Sequence, residues 1–158
     1  MNPAKVFALM SQRTPNPDAI PGGVSGFDIA DASGLCRNMP RHWYLAGRLK
    51  WAQDWTVANE LEYALWMRTT KLAVAEKWKI KKGALQLRKL AGLAIAETAD
   101  PANWKTVEKK LSFTEMTDSS WYKRWGKRYE AVFQIIDDQW ANAAYQYINS
   151  KQELSGKT

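Results

Sequence analysis

The chain has one cysteine, Cys36, and one histidine, His42, among 158 residues. A lone cysteine excludes an internal disulfide framework and any cysteine-rich metal site. A zinc site built on Cys36 and His42 needs two further ligands from carboxylates, so both residues read as structural or incidental. No run is long and apolar enough to cross a bilayer, and the opening residues lack the apolar centre of a secretory signal, which points to an intracellular protein. Hairpin turn signals and internal repeats are missing as well. So are the phosphate-cradling glycine loop, HExxH and GxSxG. Asp137 and Asp138 are adjacent, so on a helix their side chains diverge by about 100° and cannot work as a dyad; Glu60 and Glu62 diverge further. Without a base, nucleophile or metal set, the chain does not read as an enzyme, and the reading calls for no metal and no cofactor.

What the sequence does have is aromatic side chains and positive charge. Nine Trp, six Tyr and four Phe stand in a chain that is 46% hydrophobic, a length and content that suit one domain with a real core. Trp51, Trp55, Trp66, Trp78, Trp104, Trp121, Trp125 and Trp140 fall on helical stripes, and core is their expected place. An aromatic platform for single-stranded bases needs exposed rings along a basic groove instead.

Organisation follows from punctuation. A short apolar piece, VFALM, precedes the tract SQRTPNPDAIPGGVSG, and residues 1–26 read as a flexible arm. Residues 27–100 read as a helical core with helices over about 27–35, 41–53, 56–78 and 84–98. Gly47 weakens the second of these, KIKKG breaks the third, and Asp100-Pro101 ends the fourth. Residues 101–149 hold a helix pair with a long C-terminal helix, and 150–158 read as a frayed tail. The fold class is all-α, a compact bundle of five or six helices in which 27–149 form one domain.

The formal charge of +7 is uneven. Met1 to Met67 is neutral, with six basic and six acidic residues, whereas Arg68 to Lys89 holds eight basic residues against Glu76 alone. Lys105 to Arg128 adds seven basic against three acidic. If the fold sets these zones side by side, they make one footprint for a polyanion; the plainer reading of EKWKIKK is a solvated interhelical loop.

The second zone coincides with an order of elements that suits a helix-turn-helix. PANWKTVEKKL opens on Asp100 as cap and Pro101 at the first helical position, with Trp104, Val107 and Leu111 on one face. SFTEMT is polar and turn-forming. Asp118 then caps a helix whose apolar stripe runs Trp121, Trp125, Tyr129, Val132, Phe133, Ile136 and Trp140. On the far side lie Ser119, Ser120, Lys123, Arg124 and Lys127, the donors that base edges and phosphates call for in a major groove. Lys105, Lys109, Lys110 and Arg128 are the candidate phosphate holders, and Trp104, Leu111, Trp121 and Trp125 the residues that set the angle between the helices.

GFDIADASGL after a Pro-rich leader, LRKLAGLAIAETADP, and the closing WYKRWGKRYEAVFQIIDDQWANAAYQYI occur in the order seen in the late-gene antitermination proteins of lambdoid bacteriophages, the Q class, which the chain resembles. The resemblance implies binding to a DNA element near a late promoter, loading onto paused RNA polymerase, suppression of termination, and a location in the cytoplasm of the bacterial host cell. The lambda-type members carry a cysteine-rich zinc-binding insertion between the central helix and the helix-turn-helix. Here Asp100-Pro101 joins the two directly, so the resemblance is to a shortened member with no zinc ligand to carry over. Double-stranded DNA and RNA polymerase are the partners expected; no membrane is, and the oligomeric state is open. Two alternatives stay open: a small phage DNA-packaging or repressor protein using the same helix pair, and a module that binds a host protein without touching DNA.

Overall fold

Helical periodicity is realised as seven helices, with no strand, among the residues that the computed structural model describes, 1–12, 26–80 and 84–156. In order they are α1 (Pro3–Met10), α2 (Gly26–Cys36), α3 (Arg41–Ala52), α4 (Ala58–Ala75), α5 (Ala84–Ala99), α6 (Val107–Thr114) and α7, continuous over 118–156. The chain is an all-α bundle. None of its described helices is long and apolar enough to cross a membrane.

α5 is the centre. Its side chains are small or aliphatic, so Leu90, Ala91, Leu93 and Ala94 are all without solvent contact. α4 packs along it on one side and the Gly126–Gln134 stretch of α7 on another, while α3 lies against the Ile135–Asn142 stretch of α7. The main core gathers Leu45, Leu49, Leu61 and Leu65 with α5 and the aromatic stripe of α7.

A second cluster corrects both ends of the expected organisation. The first part of the arm read over 1–26 is α1, capped by the Asn2 side chain, which accepts from the Ala4 N–H at 2.8 Å. Val6, Phe7 and Leu9 are buried there with Ala32, Met39, Ala144 and Ile148. Five apolar residues are too few to show a period, so VFALM did not declare itself a helix. The part of that arm over 13–25 lies outside the described residues. The tail read over 150–158 is also corrected, because α7 continues to Gly156. Lys151 Nζ donates to the carbonyls of Gly34 and Arg37 at 2.8 and 3.1 Å, and the Tyr147 hydroxyl donates to Arg37 at 2.9 Å. These carbonyls lie at and just beyond the C-terminal end of α2, where a cation is favoured.

Gly47 sits in the middle of α3, where glycine is unfavourable for the helix alone. Its reason is α1: a Cβ at this position overlaps the ring of Phe7, which is fully buried and has no room to retreat. Gly47→Ala is therefore expected to destabilise the protein by about 1–3 kcal/mol, the cost of overpacking, despite alanine's better helix propensity. The midpoint of urea unfolding checks this; an unchanged or higher midpoint shows that α1 does not dock on α3 through Phe7.

Candidate nucleic-acid interface

The helix pair forms, with different boundaries from those expected. Asp100 makes no side-chain cap, and Pro101–Trp104 is a single 3₁₀ turn. The α-helix starts only at Val107, behind Thr106, whose hydroxyl accepts from the Lys109 N–H at 3.4 Å. At the other end Ser112, Phe113 and Thr114 are helical. The Thr114 hydroxyl bonds back to the Lys110 carbonyl at 2.9 Å, and Glu115 takes a left-handed φ of 60° with its N–H on Leu111 O at 2.7 Å. The turn is thereby cut to 115–117. Thr117, rather than Asp118, caps α7, accepting from the Ser120 N–H at 3.2 Å. Asp118 becomes the first helical residue, where its charge suits the positive end of the helix.

α7 is not a uniform α-helix. Trp121–Trp125 and Ile135–Asn142 are π-helical. The stripe repeats every four residues at 121, 125 and 129 and again at 136 and 140, and in a 3.6-residue helix such a row drifts by about 40° per step. A wider turn takes up that drift and holds the rings in line. At the first π turn the Gly126 N–H bonds to the Trp121 carbonyl, and the Trp121 ring lies close enough that a Cβ on Gly126 would stand 3.2 Å from Nε1.

Trp121, Trp125 and Tyr129 are buried with Val132, Ile136 and Trp140, whereas Ser119, Lys123, Arg124 and Lys127 are exposed. Ser120 is half-buried. Lys105 and Lys109 are exposed, the latter donating to Asn103 Oδ1 at 3.2 Å. Two of the expected phosphate holders, Arg128 and Lys110, make contacts within the fold. Arg128 is packed between the rings of Trp78 and Trp125, 5.2 and 4.6 Å from their centroids, and burial together with the Arg124 charge holds its guanidinium below its usual pKa. Lys110 turns inward, with Nζ 3.3 Å from Glu97 Oε1 and 5.3 Å from the centre of the Tyr129 ring. Both carry long apolar stems that cover aromatic surface, which withdraws them from solvent.

Glu97 is the residue that sequence reading missed. It is the only carboxylate in α5, and besides its ion pair with Lys110 it accepts a hydrogen bond from the Tyr129 hydroxyl at 2.9 Å. Burial, then the Glu97 charge, keeps that phenol far above its usual pKa, so it stays a donor. The angle of α6 to α7 is thus tied by a polar clamp from α5, beside the apolar contacts of Leu111 and the edge-on packing of Trp104 on Phe113 at 5.4 Å. One charge inside LAGLAIAETA was the available signal. Tyr122, 72% exposed on the outer side of the first π turn, was also missed; it is the one aromatic of WYKRW off the buried stripe.

The Arg68–Lys89 zone divides. Arg68 and Lys71 line a groove of about 400 Å³ with His42, Tyr63 and Trp140, and His42 stacks on Trp140 with centroids 5.1 Å apart. Lys79 and Lys89 instead face the start of α7, Lys89 pairing with Glu115 at 3.0 Å. Lys81 and Lys82 lie outside the described residues. Cys36 is half-buried, and burial pushes its thiol up to about 11, which makes it a poor nucleophile. Among the described residues no three His, Cys, Asp or Glu side chains gather in a metal-binding group. No protein family profile, curated protein sequence or solved structure matches this chain.

Removing the clamp should register in stability. Glu97→Ala leaves the buried Tyr129 hydroxyl and Lys110 unpaired and is expected to cost about 1.5–3 kcal/mol, while Glu97→Gln, which keeps an acceptor, costs less. Urea unfolding of the two variants tests the order; equal stability of wild type and Glu97→Ala would remove the clamp from this account.

Proposed function

We propose that the chain is a sequence-specific double-stranded DNA-binding regulator of transcription. The observation that carries this reading is the front of α7, where hydroxyl and cationic side chains at Ser119, Lys123, Arg124 and Lys127 stand exposed above a row of buried aromatics, with no carboxylate in 119–129. A short helix and a three-residue turn precede it, the order in which a recognition helix is presented to a major groove. Lys123 and Lys127 supply donors for guanine, Ser119 and Tyr122 hydroxyls for base edges or phosphate, and Lys105 and Lys109 charge for the backbone. The neutral first 67 residues leave another surface for a protein partner. With the resemblance to phage antitermination proteins, that partner is RNA polymerase, and the proposed action is to load at a DNA site and carry the enzyme past terminators.

Selection of bound duplexes from a random library, then run-off transcription across a terminator placed downstream of the selected site, tests both halves. Enrichment of one sequence and increased read-through are expected. Lys123→Ala should cost about 1–3 kcal/mol on the selected site and relax specificity. Lys109→Ala should weaken all duplexes alike and reduce the salt slope by about one. Gel shifts in which neither variant differs from wild type would take this face of α7 off DNA.

A further inference from the structure

Between the end of α4 and the second turn of α7 the two basic stretches of the sequence share a surface. Lys79, Gln86, Ser120, Arg124 and Trp125 line a hollow of about 80 Å³. It shares Gln86 and Ser120 with a larger cleft, about 400 Å³, on which Lys89 and the 114–117 turn also open. About 10–15 Å³ of such space holds one water, so the smaller hollow has room for a group of phosphate size.

Three observations point to an anion there. Among the described residues neither Lys79 nor Arg124 has a carboxylate within ion-pair distance, so two cations from segments far apart in sequence converge without a counter-charge. Gln86 Oε1 is shut off from solvent with no donor, so nothing internal holds that amide by its oxygen, and the soft last torsion of the side chain lets it turn its N–H₂ to the hollow. Ser120 sits half-buried at the positive end of a helix 39 residues long, which favours negative charge. Its depth keeps it from the base edges that exposed Lys123 and Lys127 can reach.

We propose that this seam seats one phosphate of the duplex backbone, with Lys79 and Arg124 supplying charge and Ser120 and Gln86 neutral donors. The proposal rests on the DNA-binding reading and deepens it. Ser120 and Arg124 move from base reading to backbone holding, Lys79 and Gln86 join the interface, and the bases are left to Ser119, Lys123 and Lys127.

The full chain and its Lys79→Gln, Arg124→Gln and Gln86→Leu variants are titrated against the selected duplex and an unrelated one between 50 and 200 mM salt, with Lys71→Gln in the groove beside His42 as a control for charge alone. Lys79→Gln and Arg124→Gln are each expected to weaken both duplexes equally, to keep the preference between them, and to shrink the affinity drop over that salt range about threefold. Gln86→Leu is expected to weaken both alike with an unfolding midpoint no lower than wild type, since an unpaired buried oxygen has been removed. Lys71→Gln should leave the salt slope near wild type. An unchanged slope in Lys79→Gln, or full affinity in Gln86→Leu, overturns the seat while DNA binding stands. A changed sequence preference in Arg124→Gln returns that residue to the bases and overturns it too. If wild type binds neither duplex, the DNA reading and the seat fall together. Saturable binding of inorganic phosphate alone, lost in Lys79→Gln and without duplex binding, assigns the hollow to a free anion instead.

Discussion

The carboxylate of Glu97 engages both helices that bound the candidate interface, in an ion pair with Lys110 on α6 at 3.3 Å and as acceptor from the Tyr129 hydroxyl on α7 at 2.9 Å. α5 offers these two helices one further polar anchor, Lys89 on Glu115 at the end of α6, and a partly buried carboxylate such as Glu97 is tolerated because it is paired. That constraint fixes what α6 and α7 can show to solvent. With Tyr129 drawn down to Glu97 and Trp121 and Trp125 buried beside it, the opposite flank of the same helix, Ser119, Lys123 and Lys127, has to face out. Lys110 is drawn to the clamp by its ion pair with Glu97.

α7 carries the consequences in both directions. Its front half presents cations above aromatics. Its rear half supplies Ala144 and Ile148 to the cluster that holds α1 and α2, and the Lys50–Asp137 ion pair at 2.6 Å ties its middle to α3. One helix therefore belongs to both cores, and its two π turns are the adjustments that let a four-residue aromatic repeat stay on one side over that length. π turns are uncommon and often mark functional segments; the first of them underlies Lys123 and Arg124.

Much of this was legible along the chain because periodicity reports burial directly. The helices from α2 to α5 were readable to within a few residues, and Trp121, Trp125 and Trp140 declared their side by spacing alone. What stayed hidden depended on partners distant in sequence. Gly47 looks like a weak point in a helix until Phe7 is found against it. VFALM looks like an apolar scrap until Ile148 closes over it. Lys110 and Arg128 look like free cations, since nothing local says that Tyr129 lies beneath the one and Trp78 beside the other.

By itself the sequence determined an all-helical chain, the inward row of α7 and the two basic stretches, since composition and the 3.6-residue period are local properties that any packing must respect. Only tertiary structure decided which cations remain available and which stretch meets which. Charge along a chain has no direction until helices dock, and docking here turned Lys110 and Arg128 inward, sent Arg68 and Lys71 to a separate groove, and brought Lys79 to Arg124.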